Sequence, residues 1–288
     1  AVRAGADAVY FGAGSFNARR GAKNFSEDEL AAAFRYCRLR GVRTYVTVNT
    51  LVTDRELLQA KAFILRLNEL GADALIVQDL GMARMCRALA PDLPLHGSTQ
   101  MSVHSLGGAL AAHKLGMTRV VLARELPLSE IRFIAENAPI EVEVFGHGAL
   151  CMCYSGQCYL SAAIGGRSGN RGMCAQPCRL PYTVYEPGDL SRQKDKHCAP
   201  EQAGQSGARS RIIEQTGKKN RNQKPAASGR TGPSPLNKSS ERYVLSLKDL
   251  CTLDILPDII EAGVYSLKIE GRMKSPRYTA GVVSIYRK

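Results

Sequence analysis

The chain repeats one pattern of hydrophobic and polar positions. An amphipathic, helix-like run ends at a glycine, two or three small or polar residues follow, and a short β-branched or aliphatic run comes next. The pattern recurs at Gly5, Gly41, Gly71, Gly116 and Gly263. Glycine suits the left-handed backbone conformation that ends a helix before a tight loop. Each repeat therefore predicts a junction between a helix and the strand that follows it.

Two further strands, at 95–98 and 141–145, are predicted because Pro94 and Pro139 stop a helix and begin an extended run. Seven strands that alternate with helices favour a parallel sheet, since right-handed crossovers place a helix between neighbouring strands. Seven is one short of a closed barrel, and the first four residues are typical of the last turn of a helix. We predict an α/β fold, a (β/α)8 TIM-like barrel that is N-terminally truncated, with a doubly wound open sheet as the alternative. The final helix, 276–288, is predicted to be cut off as well.

One segment, 186–241, has a different composition from the rest. It is rich in Gly, Ser, Pro, Gln, Asn, Lys and Arg and has almost no aliphatic clusters, so burial cannot offset the entropy lost on ordering. We predict a flexible, disordered insertion there. The predicted domain organisation is a first part of the barrel at 1–185 that includes a cysteine-rich loop, the insertion at 186–241, and the last part of the barrel at 242–288.

Composition narrows the class of protein. Hydrophobic residues make up 44% of 288 residues, which is enough for a large core. No run of about 18 apolar residues and no secretory leader is visible, so we predict a cytoplasmic protein without a membrane partner. A net charge of +13 suggests a polyanionic partner such as RNA, or alternatively a solvated basic surface. The predicted insertion supplies part of that charge.

Cysteines supply the strongest chemical signal. Of nine cysteines, five fall between 143 and 182 in a glycine-rich stretch that follows a predicted strand: Cys151, Cys153, Cys158, Cys174 and Cys178. An odd count in a protein without signs of export favours metal or thiol chemistry over disulfides. Cys37 and Cys86 lie within predicted helices, and we interpret them as buried core residues.

The spacing leaves two kinds of metal site open. Cys153-x4-Cys158 with Cys174-x3-Cys178 resembles the paired short spacings of a structural zinc site. A 4Fe-4S cluster would instead use Cys151, Cys158, one cysteine of the second pair and a distant thiol. Cys251 is the candidate for that distant thiol because it lies just after the predicted insertion and before the last strand.

Several motifs resemble one known family. These are Glu143-Val-Phe-Gly-His-Gly-Ala-Leu-Cys with Tyr154-Ser-Gly-Gln-Cys-Tyr-Leu-Ser, then Asn170-Arg-Gly-Met-Cys-Ala-Gln-Pro-Cys-Arg, Ser246-Leu-Lys-Asp-Leu and Lys268-Ile-Glu-Gly-Arg-Met-Lys-Ser. Together they are similar to the signature of peptidase family U-32, the collagenase-like peptidases, over nearly the whole chain except 186–241. The phrase around Gly165 and the Gln176-Pro-Cys-Arg sequence are most similar to the long ribosomal RNA C5-cytidine hydroxylase-type members, of which this chain would be a fragment.

The resemblance implies a cofactor and a reaction. The better understood branches of the family look like oxygen-independent hydroxylases that bind a 4Fe-4S cluster through four cysteines, and the RNA branches use prephenate as a co-substrate. Carried onto this chain, the cluster ligands are Cys151, Cys158, Cys174 and Cys251, with Cys178 as the alternate for Cys174. A small dicarboxylate and an RNA, either ribosomal or transfer RNA, are the implied partners.

A barrel places its chemistry at the carboxyl ends of the strands. The catalytic candidates at those positions are His147, Arg124, Glu125, Glu270 and Arg272, and further polar residues there are Asn49, Gln78, Asp79, Gln100 and Lys268. Arginines at such a mouth would suit a dicarboxylate or an RNA phosphate. His147 stands four residues before Cys151, close enough to tune a cluster or move a proton.

Three functions follow in order of preference. The first is iron-sulfur-dependent, oxygen-independent hydroxylation of an RNA pyrimidine, and the alternative is proteolysis as a collagenase-like peptidase. The sequence contains no His-Glu-x-x-His and no Gly-x-Ser-x-Gly, the motifs of two common hydrolase classes. The second alternative is an iron-sulfur scaffold or partner subunit in ubiquinone-type hydroxylation.

Overall fold

A computed structural model of the protein describes residues 1–18, 24–182, 242–271 and 274–288. The predicted insertion at 186–241 lies outside these residues. The chain divides into two compact units, one formed by Ala1–Leu180 with Leu245–Lys288 and the other by Pro181–Val244. In the second unit, the described residues Tyr182 and Arg242 pair through an antiparallel bridge.

One mixed sheet organises the first unit. Its strands are β1 (Ala8–Gly12), β2 (Arg43–Val48), β3 (Ala74–Val77), β4 (Leu95–Gly97), β5 (Arg119–Val121), β6 (Glu141–Gly148), β7 (Leu250–Cys251) and β8 (Ser266–Ile269). Strands β1 to β6 are parallel and lie side by side in chain order, β8 adds in parallel to β6, and β7 pairs antiparallel with the end of β6. The seven predicted strands are all present, and β7 was not predicted.

The sheet curls into a half-barrel. Within the described residues, no backbone ladder joins β1 to β8, but side chains connect them. The Tyr10 hydroxyl donates to the Ile269 carbonyl oxygen at 3.3 Å, and Lys268 Nζ lies 4.0 Å from the Tyr10 ring centroid. A mixed α/β fold is therefore confirmed, whereas eight-stranded closure and truncation stay predictions.

Helices cover the outer face of the sheet. They are α1 (Glu27–Arg38), α2 (Leu57–Leu70), α3 (Leu80–Leu89), α4 (Leu106–Lys114), α5 (Leu128–Asn137), α6 (Leu160–Gly165), α7 (Leu256–Glu261) and α8 (Pro276–Arg287). The five glycines of the repeated pattern all adopt positive φ: Gly5 at 95°, Gly41 at 65°, Gly71 at 80°, Gly116 at 82° and Gly263 at 78°. The predicted helix-to-strand junctions are thus confirmed. Among the described residues, no helix has the length and apolar character needed to cross a membrane.

The two faces of the sheet differ in chemistry. Outward strand residues pack with the helices into the main hydrophobic core, which includes Leu75, Val120 and Ile134. The inner face carries a buried ionic cluster, defined here as Arg119, Glu143 and Lys268. Glu143 accepts from Lys268 at 2.7 Å and from Arg119 at 3.1 Å. Burial alone would raise the pKa of Glu143, but the charges of Lys268 and Arg119 outweigh burial and lower this pKa to about 2.

Candidate functional site

A pocket opens at the carboxyl ends of the parallel strands, where barrel-like folds place their chemistry. Its empty volume of about 560 Å³ includes space that is open to solvent. Residues from several strand ends line it, including Asn49, Ser98, Gln100, Arg124, Cys151 and Glu270. Five of the predicted polar positions therefore line one cavity, namely Asn49, Gln100, Arg124, Lys268 and Glu270, and the candidate thiol of Cys151 contributes to its wall.

Polar side chains on the pocket wall hold one another in place. The Asn49 side-chain amide donates to Ser98 Oγ at 3.1 Å and its oxygen accepts from the Ala18 backbone at 3.1 Å. Gln78 does not line the pocket, but its amide donates to the Gln100 carbonyl oxygen at 3.3 Å. Asp79 accepts from the Met82 backbone at 2.9 Å and so caps α3. Asn49 is thus part of the wall, while Gln78 and Asp79 support the structure around it.

Arg124 provides a positive charge inside the pocket. Its guanidinium carbon lies 4.2 Å from the Phe145 ring centroid, and Nη1 lies 3.5 Å from Cys151 Sγ. The Arg124 Nε atom is buried and has no hydrogen-bond partner in the described part of the chain. A buried donor of this kind favours a ligand with an acceptor oxygen, such as a carboxylate.

Glu125 anchors the first cysteine loop, defined here as residues 149–158. Its carboxylate accepts from the Ser155 backbone at 2.7 Å and from Ser155 Oγ at 3.1 Å, and His104 Nε2 lies 3.5 Å from the other oxygen. Gly156 docks so closely that an added Cβ would lie 2.1 Å from the Gln100 carbonyl oxygen, and its φ of +76° also requires glycine. These contacts hold the loop against the pocket rim, so the geometry gives Glu125 a positioning role.

A β-bulge turns His147 away from the pocket. In the ladder with β8, Phe145 pairs with Lys268 but His147 pairs with Ile269, which leaves Gly146 as the extra residue. Residues that pair across a ladder point to the same face of the sheet. Lys268 points to the inner face, so the next residue, Ile269, points to the outer face. The bulge therefore places His147 on the outer face with Ile269. There Nδ1 lies 3.4 Å from the Tyr286 hydroxyl, and the two rings meet edge to face. The predicted catalytic role of His147 remains untested, but its ring does not line the pocket.

The end of β8 supplies the opposite wall. Glu270 lines the pocket, and its backbone donates to the His147 carbonyl oxygen at 2.9 Å. Gly148 allows the end of β6 to approach the segment after β8, since an added Cβ would lie 2.6 Å from Glu270 Cβ. Arg272, the remaining catalytic candidate, lies outside the described residues.

Three thiols, those of Cys151, Cys158 and Cys174, lie within electrostatic reach of Cys178. Burial raises the pKa of the Cys178 thiol, Arg179 opposes this shift, and Cys151, Cys174 and Cys158 raise the pKa further. Burial is the largest cause that raises the pKa of the Cys153 thiol, and the Cys158 thiol raises it further. The loop cysteines therefore form one neighbourhood beside the pocket.

Cys251 reaches the same end of the sheet by another route. It lies on β7 directly opposite His147, and the Tyr286 hydroxyl lies 3.9 Å from its Sγ. The described residues contain no group of three or more His, Cys, Asp or Glu side chains already arranged to hold a metal ion. The predicted ligand set of Cys151, Cys158, Cys174 and Cys251 therefore stays a prediction.

Arg179 links the segments that carry these cysteines. It follows Cys178 directly, and its guanidinium donates to the Leu150 carbonyl oxygen at 2.6 Å, to Ser246 Oγ at 3.0 Å and to the Leu247 carbonyl oxygen. One planar cation with several donors can bridge such separated acceptors. Sequence reasoning missed Arg179, although its place directly after a cysteine in a family-like motif was a usable signal.

Arg171 fixes the second cysteine loop, defined here as residues 166–178, in a similar way. It donates to both carboxylate oxygens of Glu56, at 3.0 and 2.5 Å, and to the Leu51 carbonyl oxygen. Hydrogen bonds from Arg171 lower the pKa of Glu56 to about 2. The pairing of Arg171 with Glu56 was also missed, because the two residues are far apart in sequence and no local pattern indicates their contact.

Comparison with known proteins agrees with the motifs. The profile of peptidase family U32 matches residues 1–288. The 23S rRNA 5-hydroxycytidine C2501 synthase of Escherichia coli (strain K12) is 37% identical over 287 residues, which cover 100% of this chain and 36% of that protein. The tRNA hydroxylation protein P1 of Bacillus subtilis (strain 168) is 33% identical and is covered to 59%, again by 100% of this chain.

A third relative has a different kind of name. A protein named Collagenase from Porphyromonas gingivalis (strain ATCC BAA-308 / W83) is 34% identical over 299 residues, with 100% of this chain and 61% of that protein covered. The chain thus spans less than two thirds of the length of each of these curated relatives. Because the family profile matches from the first residue to the last, this chain belongs to peptidase family U32.

Proposed function

We propose that the protein is an oxygen-independent hydroxylase of a pyrimidine in ribosomal or transfer RNA and that it acts in the cytoplasm. The observation that carries this proposal is the position of the first cysteine loop, which Glu125 holds at the rim of a pocket with Arg124 inside it. The names of two similar proteins, an rRNA 5-hydroxycytidine synthase and a tRNA hydroxylation protein, support the choice of reaction. The net charge of +13 agrees with an RNA substrate.

We propose a 4Fe-4S cluster as the cofactor, bound by Cys151, Cys158, Cys174 and Cys251, with Cys178 as the alternate for Cys174. The chemistry of the donors fits, because thiols are the soft ligands that iron-sulfur clusters use and the loop thiols already share one neighbourhood. Such a cluster would supply one-electron redox chemistry at the pocket rim.

The chain's own residues would bind and orient the reactants. The Arg124 guanidinium would engage a carboxylate of a small dicarboxylate co-substrate such as prephenate, since its Nε has no protein partner among the described residues. Asn49, Ser98 and Gln100 offer hydrogen-bonding groups for the edge of a base. Phe145 packs under Arg124 and gives that side of the pocket an apolar wall.

We also propose that β1 and β8 flank the closing side of a (β/α)8 TIM-like barrel. The support is the pair of side-chain contacts that already connect these strands, from Tyr10 to the Ile269 carbonyl oxygen and from Lys268 to the Tyr10 ring. A closed barrel would bring the strand ends around one mouth, as the pocket requires.

Proteolysis is the alternative that the same experiment tests. The relative named Collagenase favours it, and Cys251 lies opposite His147 in the β6–β7 ladder, so a thiol and an imidazole are available at neighbouring positions. The second alternative, an iron-sulfur scaffold for another enzyme, would leave RNA and peptides unchanged by this protein alone.

RNA from a strain that lacks the protein is expected to lose one hydroxylated pyrimidine, measured by mass spectrometry of the nucleosides of purified rRNA and tRNA. Expression of the wild-type protein should restore it, and expression of an Arg124→Ala variant should not. Arg132→Ala is the matched control, since Arg132 lies on α5 and contacts Glu261 rather than the pocket. Unchanged RNA, combined with cleavage of gelatin by metal-free protein, would overturn the proposal in favour of the peptidase.

Loss of the Arg179 contacts is expected to loosen the cysteine site. An Arg179→Gln variant cannot reach Leu150, Ser246 and Leu247 together, so the segments that carry Cys151, Cys178 and Cys251 lose their common anchor. We expect a lower ratio of iron to protein and faster loss of visible absorbance in the presence of a chelator.

Arg167→Gln is the matched control for this prediction, because Arg167 contacts only the Met173 carbonyl oxygen within its own loop among the described residues. Equal iron retention in the two variants would show that Arg179 does not position the ligands.

A further inference from the structure

We propose that Tyr154 is a stacking platform at the pocket rim, on which single-stranded RNA lays a base beside the pyrimidine that enters the pocket. The inference rests on the proposed function and adds to it the form of the substrate. The relevant surface is the aromatic rim, defined here as Tyr154, Tyr159 and His104. Tyr154 and Tyr159 are 64% and 74% exposed, so their rings are open to a ligand from solvent.

Tyr154 lies in the part of the first cysteine loop that reaches the pocket wall. Its neighbours in sequence, Cys151 and Ser155, both line the pocket. The backbone at this point is fixed, because Glu125 accepts from the Ser155 backbone at 2.7 Å and Gly156 packs on Gln100. A base stacked on Tyr154 would therefore lie next to a base inserted in the cavity.

The ring is held in place while one side stays open. His104 meets it edge to face, with 5.7 Å between ring centroids and 77° between ring planes. His104 is itself fixed, since Nδ1 lies 2.7 Å from the Ser102 carbonyl oxygen. A ring ordered before binding loses little conformational entropy when a base stacks on it.

Charge around the rim favours an anion. Residues 144–182 contain three arginines and no aspartate or glutamate. Arg171 is paired with Glu56, but Arg167 and Arg179 donate to neutral oxygens in the contacts described above, so those contacts do not neutralise their charges. An exposed aromatic ring on a stretch of chain that carries arginines and no carboxylate of its own fits a single-stranded nucleic acid, in which bases stack and phosphates contact cations.

The same geometry disfavours duplex RNA. A ring can stack on a base only when that base has left its own neighbours, and an enzyme reaches a pyrimidine within a narrow cavity only when it is unpaired or flipped out. The protein should therefore bind loops or single strands, and the contribution of Tyr154 should disappear with a fully paired substrate.

The test compares binding of a short fluorescein-labelled, pyrimidine-containing RNA by fluorescence anisotropy at fixed salt. Tyr154→Ala is expected to weaken binding by about fivefold or more, the usual loss when one base–aromatic stack is removed. Tyr154→Phe keeps the ring and should bind like the wild type. Phe133→Ala is the matched control, because Phe133 is 52% exposed but lies on α5 and does not line the pocket. The annealed duplex should bind all variants equally.

If the Tyr154→Ala variant binds the single strand with wild-type affinity, the proposed stacking platform is wrong. It is also wrong if the Phe133→Ala variant loses as much affinity as Tyr154→Ala. Tighter binding of a gelatin peptide than of RNA, with the same dependence on Tyr154, would assign the rim to a peptide instead.

The nucleoside profile of the deletion strain separates the two proposals. If the hydroxylated pyrimidine is lost there while Tyr154→Ala binds normally, the function stands and only the platform fails. If the pyrimidine persists while Tyr154 still governs RNA binding, the reaction fails and the RNA surface remains.

Discussion

Replacing Cys158 with serine is expected to abolish both the bound iron and the RNA hydroxylation. The Cys158 thiol lies in the neighbourhood of Cys151, Cys174 and Cys178, and a serine hydroxyl is a hard and poor substitute for a thiolate on iron. The wild-type protein, purified without oxygen, should be brown with broad visible absorbance. The variant should be colourless and inactive, measured as iron and sulfide per chain together with the nucleoside profile.

Two other cysteines decide between the ligand sets that the sequence leaves open. Cys153→Ser should keep the cluster if Cys151, Cys158, Cys174 and Cys251 are the ligands, whereas Cys251→Ser should lose it. A zinc site built from the two short spacings predicts the reverse. Replacing Cys174 and Cys178 separately identifies the third ligand.

Cys86→Ala controls for the loss of any thiol. Cys86 is fully buried in α3, and burial raises the pKa of its thiol to about 12, so it stays a neutral core residue. This variant should retain its iron. A colourless wild-type protein with one zinc per chain would contradict the cluster.

Local patterns predicted the sheet well because each helix-to-strand junction is encoded by adjacent residues. Gly71 is an example, since its φ of 80° ends α2 and the next buried residues form β3. Parallel order then follows from the alternation of strands and helices, without any knowledge of long-range contacts. The same reasoning placed Asn49, Gln100, Arg124 and Glu270 at strand ends, and they do share one pocket.

The rest of the site depends on contacts that are distant in sequence. The bulge at Gly146 turns His147 to the outer face, and nothing in the local pattern of hydrophobic residues reveals one extra residue in a ladder. The short strand β7 exists only through its pairing with β6, and two residues give no periodicity to detect. The catalytic role expected for Glu125 stays a prediction, but its contact with Ser155, a partner 30 residues away, could not be read from the local sequence.

The Glu143→Gln variant is expected to lose about 3–5 kcal/mol of unfolding free energy, as is typical when one partner of a buried ion pair is removed. Glu143 is the carboxylate of the buried ionic cluster, with only 4% of its side chain exposed. The amide would leave the Lys268 ammonium buried without its counter-charge. Urea unfolding at neutral pH, followed by circular dichroism, measures the change.

Glu141→Gln is the matched control, because Glu141 contacts the same Arg119 at 2.8 Å but has 37% of its side chain exposed. Solvent screens the partly exposed Glu141 carboxylate, so we expect a smaller loss than for the buried Glu143. A Glu143→Leu, Lys268→Met double variant should recover part of the loss, since removing both charges leaves no uncompensated ion between them. Similar small losses for Glu143→Gln and Glu141→Gln would show that the cluster is not an important source of stability.

Acid should reproduce the effect of the Glu143→Gln variant. The pKa of Glu143 is lowered from 4.5 to about 2 in the folded protein, so between these values the unfolded chain binds a proton that the folded chain does not. The contribution of this carboxylate is therefore complete above about pH 4.5 and is lost as the pH falls toward 2.

His96 adds to the loss of stability in acid. Burial is the largest cause that lowers its pKa from 6.5 to about 3, and the charge of Arg119 lowers the pKa further. Stability should thus fall continuously from about pH 6.5 downward, and the Glu143→Gln variant should show a shallower fall below pH 4.5. If the Glu143→Gln variant loses stability with falling pH as steeply as the wild type in that range, Glu143 is not ionised in the folded protein. The charge of Lys268 would then have to be compensated by another group.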